Sequence, residues 1–514
     1  MRTRGGPFDV STAAFSPARV LDRHPVIVVL CLLAIYVAVT LPHALAKPFW
    51  HDEIVTILIS RLPSWGAMWA AALDGADLSP PLSVWLTRIA HEIAGVGPVS
   101  TRLPALCGFY LSVVAVFLLL RRRVGSCGAV SGALLLLFTA APRFAAEARA
   151  YGVMIGLFAS VLFLWMEASA GRRRRLYIPL LAVTLAASIW NHYYGVLAFA
   201  PVAGGELARF FRRGRPDLPI LAAVGTALLS AVPLWPLMRV ASAQRATFWT
   251  AATSGPPVIE LYQFLIQPML DAPFVLAGIA VALVIAWLPG STRAASAPHL
   301  PFHERVAIGV ALTIPLLGFV LGRVTTGGLP PRYILSGAIA FGIAVPVAIH
   351  RRNNRTPIAQ CLLLAVLTIG AVTSAVRAWY PARVPFIDPA VSRPLLIDSL
   401  RRPGPTVVSS SLQFLQLWYY TPPALKPKLS YLANPERALR WTGSDTIDRG
   451  YQAVARRAAV PVVDYETFIS RYTEFRVYEA GSGWLLDALR DAGATIELTA
   501  SEPAGRLYVV TMPD

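Results

Sequence analysis

The chain has 514 residues, 55% of them hydrophobic and only 14% charged, with a mean hydropathy of +0.56. Soluble globular domains are not this apolar, so several membrane-crossing helices are implied. The formal net charge of +18 does not indicate nucleic acid. The arginines sit in short blocks between apolar runs, as in cytoplasmic loops under the positive-inside rule, and a basic inner face against anionic lipids accounts for them.

In chain order, residues 1–24 form a basic tail with Arg2, Arg4, Arg19 and Arg23, expected in the cytoplasm. A first span covers 25–45. The Ala44-Leu45-Ala46 that follows looks like a signal-peptidase site, but the apolar run exceeds the usual length of a signal core. Residues 47–102 form a first outer loop with interfacial helices. Within it, 81–96 reads as an amphipathic helix lying at the interface, because Arg88, His91 and Glu92 fall within about one turn. Were it to cross, Arg121, Arg122 and Arg123 would be stranded outside.

Beyond it the apolar runs alternate regularly. Runs at 103–120, 152–170, 195–208, 272–288 and 333–349 head inward; each ends at a basic loop, the last at Arg351, Arg352 and Arg355, and the one before at Arg293 and Arg305. Runs at 127–141, 176–190, 218–238, 306–321 and 358–376 head outward. With the first span this gives about eleven crossings, from a cytoplasmic N-terminus to an external C-terminus. The transmembrane module is thus 25–377. Residues 378–514 are different in kind: polar, with β-rich runs at 406–409, 476–478, 496–498 and 507–511, and a helix at 484–492 stopped by Gly493. They read as a small extracytoplasmic α/β domain. The expected fold class is therefore an α-helical polytopic membrane protein carrying that domain. The cysteines Cys31, Cys107, Cys127 and Cys361 all lie in apolar runs, with no pairing or zinc-ligand pattern.

Four polar clusters fall on the outer rim of this topology, which was assigned from charge alone. Asp52 and Glu53, beside His51, follow the first span. Glu147, Arg149 and Tyr151 share one short outer loop. His192, Tyr193 and Tyr194 occupy the tip of a helical hairpin, and Arg332 and Tyr333 begin a descending span. Taken singly each has a plain explanation: rim arginines snorkel, and tyrosines belong to the interfacial belt. Glu147 and Arg149, two apart, do not face each other on one helix. Together the clusters describe an outer cavity holding carboxylate, Arg, His and Tyr.

That set suits sugar transfer from a polyprenyl phosphate. A positioned carboxylate takes the proton of an acceptor hydroxyl, a contribution of about 10²–10⁴-fold. The leaving lipid phosphate gains charge as the glycosidic bond breaks; arginine's planar fork matches its oxygens, and His and Tyr donate further hydrogen bonds. The sequence contains no P-loop and no glycine-rich nucleotide fingerprint after a strand. The rival class is a polytopic transporter or lipid flippase, which calls for ionisable residues at mid-span and paired repeats with broken helices; the charges here lie at the rims.

At these residues the chain resembles the GT-C superfamily of membrane glycosyltransferases, in the bacterial branch related to protein O-mannosyltransferases and the lipid A aminoarabinose transferase. The matching positions are Asp52-Glu53, Arg149-Ala150-Tyr151, His192-Tyr193-Tyr194 and Arg332-Tyr333, with Ser79-Pro80-Pro81-Leu82 and Arg102-Leu103-Pro104. The resemblance covers most of 25–350. It implies a polyprenyl-phosphate-linked sugar donor in a bacterial-type inner membrane and an inverting single displacement. In it Asp52 is the base, assisted by Glu53, while Arg149, His192, Tyr194, Arg332 and Tyr333 hold the donor phosphate. His51, Glu147, Tyr151 and Tyr193 would then line the cavity or meet the acceptor, whether a lipid, a glycan or a protein. Asp52 and Glu53 are also the residues a divalent cation would use, although no third ligand accompanies them.

Overall fold

The computed structural model describes residues 17–248, 257–289, 300–325, 328–350, 354–379 and 392–513. Arg2 and Arg4 of the basic tail, Arg293, Arg351 and Arg352 lie outside the described residues. Helices Pro25–Ala46, Pro98–Phe138, Ala150–Ser169, Leu218–Ala243 and Thr356–Trp379 are each long and apolar enough to cross a membrane. Two further pairs, Val258–Leu270 with Pro273–Trp287 and Phe302–Leu312 with Ile314–Thr325, are bent by 99° and 52° and bring the number to as many as seven.

Charge and hydropathy gave about eleven runs; all eleven are helical over most of their length. Part of the difference is a reversal inside one element. Gly125 has φ +81°, which L-residues rarely adopt. A Cβ placed on Gly132 would lie 2.3 Å from Leu120, whereas twelve residues of straight helix would separate the two by about 18 Å. The chain therefore doubles back at Gly125, and the element counts as two antiparallel arms with Arg121, Arg122 and Arg123 at their turn.

The basic blocks are tied together at one end of the helices. Glu167, fully buried, accepts from Arg122, Arg123 and Arg172. Arg123 forks onto Glu304 with both bonds at 2.6 Å, and Arg174 and Arg209 share Asp217. Three arginine loops that the charge rule assigned to one side thus meet through shared carboxylates. Helix Leu82–Ala94 measures about 20 Å, too short to cross; its Ile89 and Ile93 face outward while Arg88 bonds Glu92 and the Leu62 carbonyl.

Close packing of two helices fixes the opposite end. A Cβ on Gly152 or Gly156 would meet the carbonyl oxygens of Ala105 and Gly108 at 2.2 and 2.0 Å. Only hydrogen is tolerated there, so the start of Ala150–Ser169 lies directly against the helix that carries Arg102.

The C-terminal residues form one six-stranded sheet of β1 (Thr406–Val408), β2 (Leu429–Ala433), β3 (Val462–Asp464), β4 (Glu474–Glu479), β5 (Thr495–Glu502) and β6 (Gly505–Thr511). The order is β3-β2-β1-β4-β6-β5, parallel from β3 to β4 and antiparallel through β6 and β5. The four expected strands are β1, β4, β5 and β6. Strands β2 and β3 carry no clear sequence signal: β3 is three residues long, and Leu429-Ser430-Tyr431-Leu432-Ala433 lacks clean alternation. The sheet's helices share a core with the segment that follows the first span. Phe49, Ile54 and Ile57 pack in one cluster with Phe414, Leu417 and Tyr451, and Arg457 pairs with Asp74 at 2.5 Å.

Candidate active site

After the first span the chain runs extended through Pro48 and Phe49 to Trp50, whose φ −89° and ψ 163° precede helix His51–Ser60. Asp52 and Glu53 occupy the first turn, where the free N–H groups and the helix dipole favour carboxylates. Successive helical residues point about 100° apart, and the pair divides accordingly. Asp52 opens to a cavity and forms an ion pair with Arg149. Glu53 turns into the protein, against the expectation that it faces the cavity beside Asp52. Fully buried, it accepts from Arg102 Nε and Nη2 at 2.7 and 2.9 Å, from the Ala148 N–H at 2.9 Å and from the Trp50 N–H at 3.1 Å. The two carboxylates thus serve different partners, and among the described residues no three His, Cys, Asp or Glu side chains gather as metal ligands.

Arg149 stands at the N-cap of Ala150–Ser169, its guanidinium 5.1 Å above the Tyr151 ring. Tyr151 accepts a 2.8 Å hydrogen bond from Arg332 Nε. His192 ends helix Arg174–Asn191, and its Nδ1 accepts the Tyr194 N–H at 3.1 Å. With Nδ1 an acceptor, the proton of the neutral ring is on Nε2, a donor. Tyr333 packs edge-on to His192 at 4.7 Å and against Tyr194 at 4.9 Å. Residues from four separate segments thus meet at one place.

The cavity they surround has a volume of about 410 Å³, within the range of small-molecule sites. It is lined by His51, Asp52, Arg149, Tyr151, His192, Arg332 and Tyr333 of the sequence-derived set. Glu53, Glu147, Tyr193 and Tyr194 of that set do not line it. Glu147 pairs with Lys47 at 2.5 Å, and Tyr194 supports Tyr333 from behind. Sequence reasoning overlooked Asp77, whose Oδ1 accepts the Ser79 N–H at 2.9 Å at the cavity wall. Its signal is the adjoining Ser79-Pro80-Pro81-Leu82 motif. Also overlooked was the wall that the C-terminal region supplies: Leu412, Thr446, Ile447, Gly450 and Tyr451. The His51 ring stacks on Tyr451 at 5.4 Å with neither ring nitrogen hydrogen-bonded among the described residues.

Burial alone would raise the Asp52 carboxyl; Arg149, with His51 and Arg332, outweighs it and holds the group below its ordinary value. His192 is pushed down to about 3, first by burial and then by Arg149 and Arg332. Burial likewise lowers His51, despite Asp52. At neutral pH the cavity therefore holds an ionised carboxylate, two guanidinium groups and neutral histidines. The arrangement accepts an anion beside a base.

The architecture, apolar helices with a small C-terminal sheet region, is shared with solved membrane-protein structures. The solved structures that share it include ArnT from Cupriavidus metallidurans in the apo state, at 15% identity and a TM-score of 0.61 over 95% of this chain and 98% of that one. The same protein bound to undecaprenyl phosphate matches at 16% and 0.59 over 94% and 97%. A zinc- and sulfate-bound Archaeoglobus fulgidus oligosaccharyltransferase follows at 12% and 0.46, over 88% and 67%. No protein-family model and no curated protein sequence matches the chain.

Proposed function

We propose that the protein is an integral membrane glycosyltransferase that moves a sugar from a polyprenyl-phosphate donor to a hydroxyl acceptor on the extracytoplasmic face of a bacterial-type inner membrane. The observation that carries this reading is Asp52, paired with Arg149, in one cavity with Arg332 and His192. Asp52 removes the acceptor's proton as the hydroxyl oxygen attacks the anomeric carbon; the bond to the phosphate oxygen breaks, and the configuration inverts. Arg149, Arg332 and the Nε2–H of His192 receive the charge developing on the leaving phosphate, which departs without a proton. ArnT crystallises with undecaprenyl phosphate on the same fold, which favours a lipid-linked donor and a lipid acceptor. Residues 394–513 wall the cavity opposite the membrane helices, a placement suited to orienting the acceptor.

Incubating purified protein with a panel of radiolabelled polyprenyl-phosphate sugars and a total membrane lipid extract as acceptor, and following release of polyprenyl phosphate, tests the reading. One sugar should be consumed, and consumption of none by protein that still binds the lipid phosphate would overturn it. Replacing Arg332 by Ala should weaken polyprenyl-phosphate binding about 10–150-fold, the worth of a charged hydrogen bond; titration by intrinsic fluorescence reads this.

The pH profile offers a separate check. Asp52 acts as a base only when ionised, and its partners lower its pKa. The acid limb of kcat/KM should thus lie below that of an ordinary carboxylate. Arg149→Met removes the largest lowering influence and leaves burial to dominate, so the limb should move to higher pH whatever the fall in amplitude. A limb that stays in place would remove Asp52 from the role.

A further inference from the structure

A second cavity lies at the other end of helix Arg174–Asn191, about 26 Å from His192 along the axis. Its volume is about 350 Å³, and Arg174, Arg209, Arg213, Arg215, Glu206 and Asp217 provide its charges. The two carboxylates are already used. Asp217 accepts from Arg174 at 2.5 Å and from Arg209 at 3.0 Å, and Glu206 accepts from Arg209 and from Trp165 Nε1. Arg209 is only 2% exposed, yet its Nε–H finds no acceptor among the described residues. Arg213 and Arg215 are exposed and form no ion pair among the described residues. Four guanidinium groups against two carboxylates leave a positive pocket that the protein does not neutralise.

What surrounds it decides the occupant. Leu218, 67% exposed, lines the pocket, and Phe210 and Leu221, each one helical turn from a lining residue, are open as well. A free anion has no use for that apolar border. A lipid does, because its acyl chains run along such side chains while its phosphate enters the basic pocket at the rim. We propose that this cavity, separate from the transfer site, binds the headgroup of an anionic glycerophospholipid, with Arg213 and Arg215 as the phosphate contacts and Arg209 and Arg174 as the fixed charge beneath them.

The test uses the full-length protein in neutral detergent, freed of lipid and titrated with phosphatidylglycerol or phosphatidylcholine in mixed micelles, with lipid binding read by native mass spectrometry. Phosphatidylglycerol should bind in preference. The Arg213→Ala/Arg215→Ala double variant should bind it about 30-fold more weakly, and single Arg215→Gln about fivefold, from the usual contribution of each arginine near anionic lipid. Both residues are exposed, so folding should survive. A control with the same charge loss, Arg456→Ala/Arg471→Ala in the C-terminal region, should leave affinity unchanged. Equal affinity for phosphatidylcholine, an unchanged double variant or an equally weakened control would each overturn the proposal. Displacement of the lipid by inorganic phosphate at equal concentration would assign the pocket to a free anion and overturn it as well.

Discussion

Asp52→Asn should lower the rate of sugar transfer about 10²–10⁴-fold while leaving donor binding within a few-fold of wild type. The asparagine keeps the shape and one oxygen acceptor, so the Thr56 hydroxyl still bonds the residue-52 carbonyl and helix His51–Ser60 is unaffected. What is lost is a group that can take a proton. The expected signature is a fall in kcat with little change in KM, since a base acts only in the transition state. The ion pair with Arg149 disappears too, but Asp52 is one-third open to the cavity, where a pair contributes little to stability. Freed of its partner, Arg149 is at least as able to meet the donor phosphate. Release of radiolabelled polyprenyl phosphate measures the rate, and fluorescence titration the binding. Transfer at the wild-type rate would remove Asp52 from the chemistry; lost binding with a normal rate per bound donor would make it a binding group. A transporter or scaffold of this fold would show neither change.

Much of the site is legible in the sequence because the membrane does part of the sorting. Charged residues at span ends are few, and the alternation of arginine blocks assigns each to a side. His51, Asp52, Arg149, Tyr151, His192, Arg332 and Tyr333 could thus be collected before any contact was known. Direction was not legible. Asp52 and Glu53 are adjacent in the chain and read as a pair, yet one helical step turns them to opposite tasks. Glu147 and Arg149 share a loop, but each finds its partner elsewhere, at Lys47 and Asp52. The partner of Glu53 lies 49 positions away, and the Arg102-Leu103-Pro104 motif carries no mark of where its guanidinium goes. The wall formed by Thr446, Gly450 and Tyr451 has no motif at all; docking of the C-terminal helices on the segment that follows the first span brings it there. The reversal at Gly125, by contrast, lies where the Arg121–Arg123 block separates two apolar runs, so its place was legible in the charge pattern.

Glu53 is where the second large effect is expected, on the fold rather than the chemistry. Its carboxylate and the Arg102 guanidinium are both 0% exposed. Arg102 also donates to the carbonyls of Ala44 and Lys47, so one ion pair joins the end of the first span, helix His51–Ser60 and, through the Ala148 N–H, the loop that carries Arg149. Forming a buried pair gains little over apolar packing, because desolvation offsets the attraction; breaking one strands a charge. Glu53→Ala should therefore cost about 3–5 kcal/mol and sharply lower the thermal midpoint in detergent, with Arg102→Ala close behind. The Glu53→Met/Arg102→Met double variant removes both charges and should recover part of that loss. Recovery should be partial, because the N–H groups of Trp50 and Ala148 are left without their acceptor. Thermal unfolding followed by tryptophan fluorescence orders the variants: Asp52→Asn near wild type, the double variant lower, and the single Glu53 and Arg102 variants lowest. If Glu53→Ala melted with Asp52→Asn while transfer fell, the neighbouring carboxylate would belong to the reaction, and the division of labour between residues 52 and 53 would be wrong.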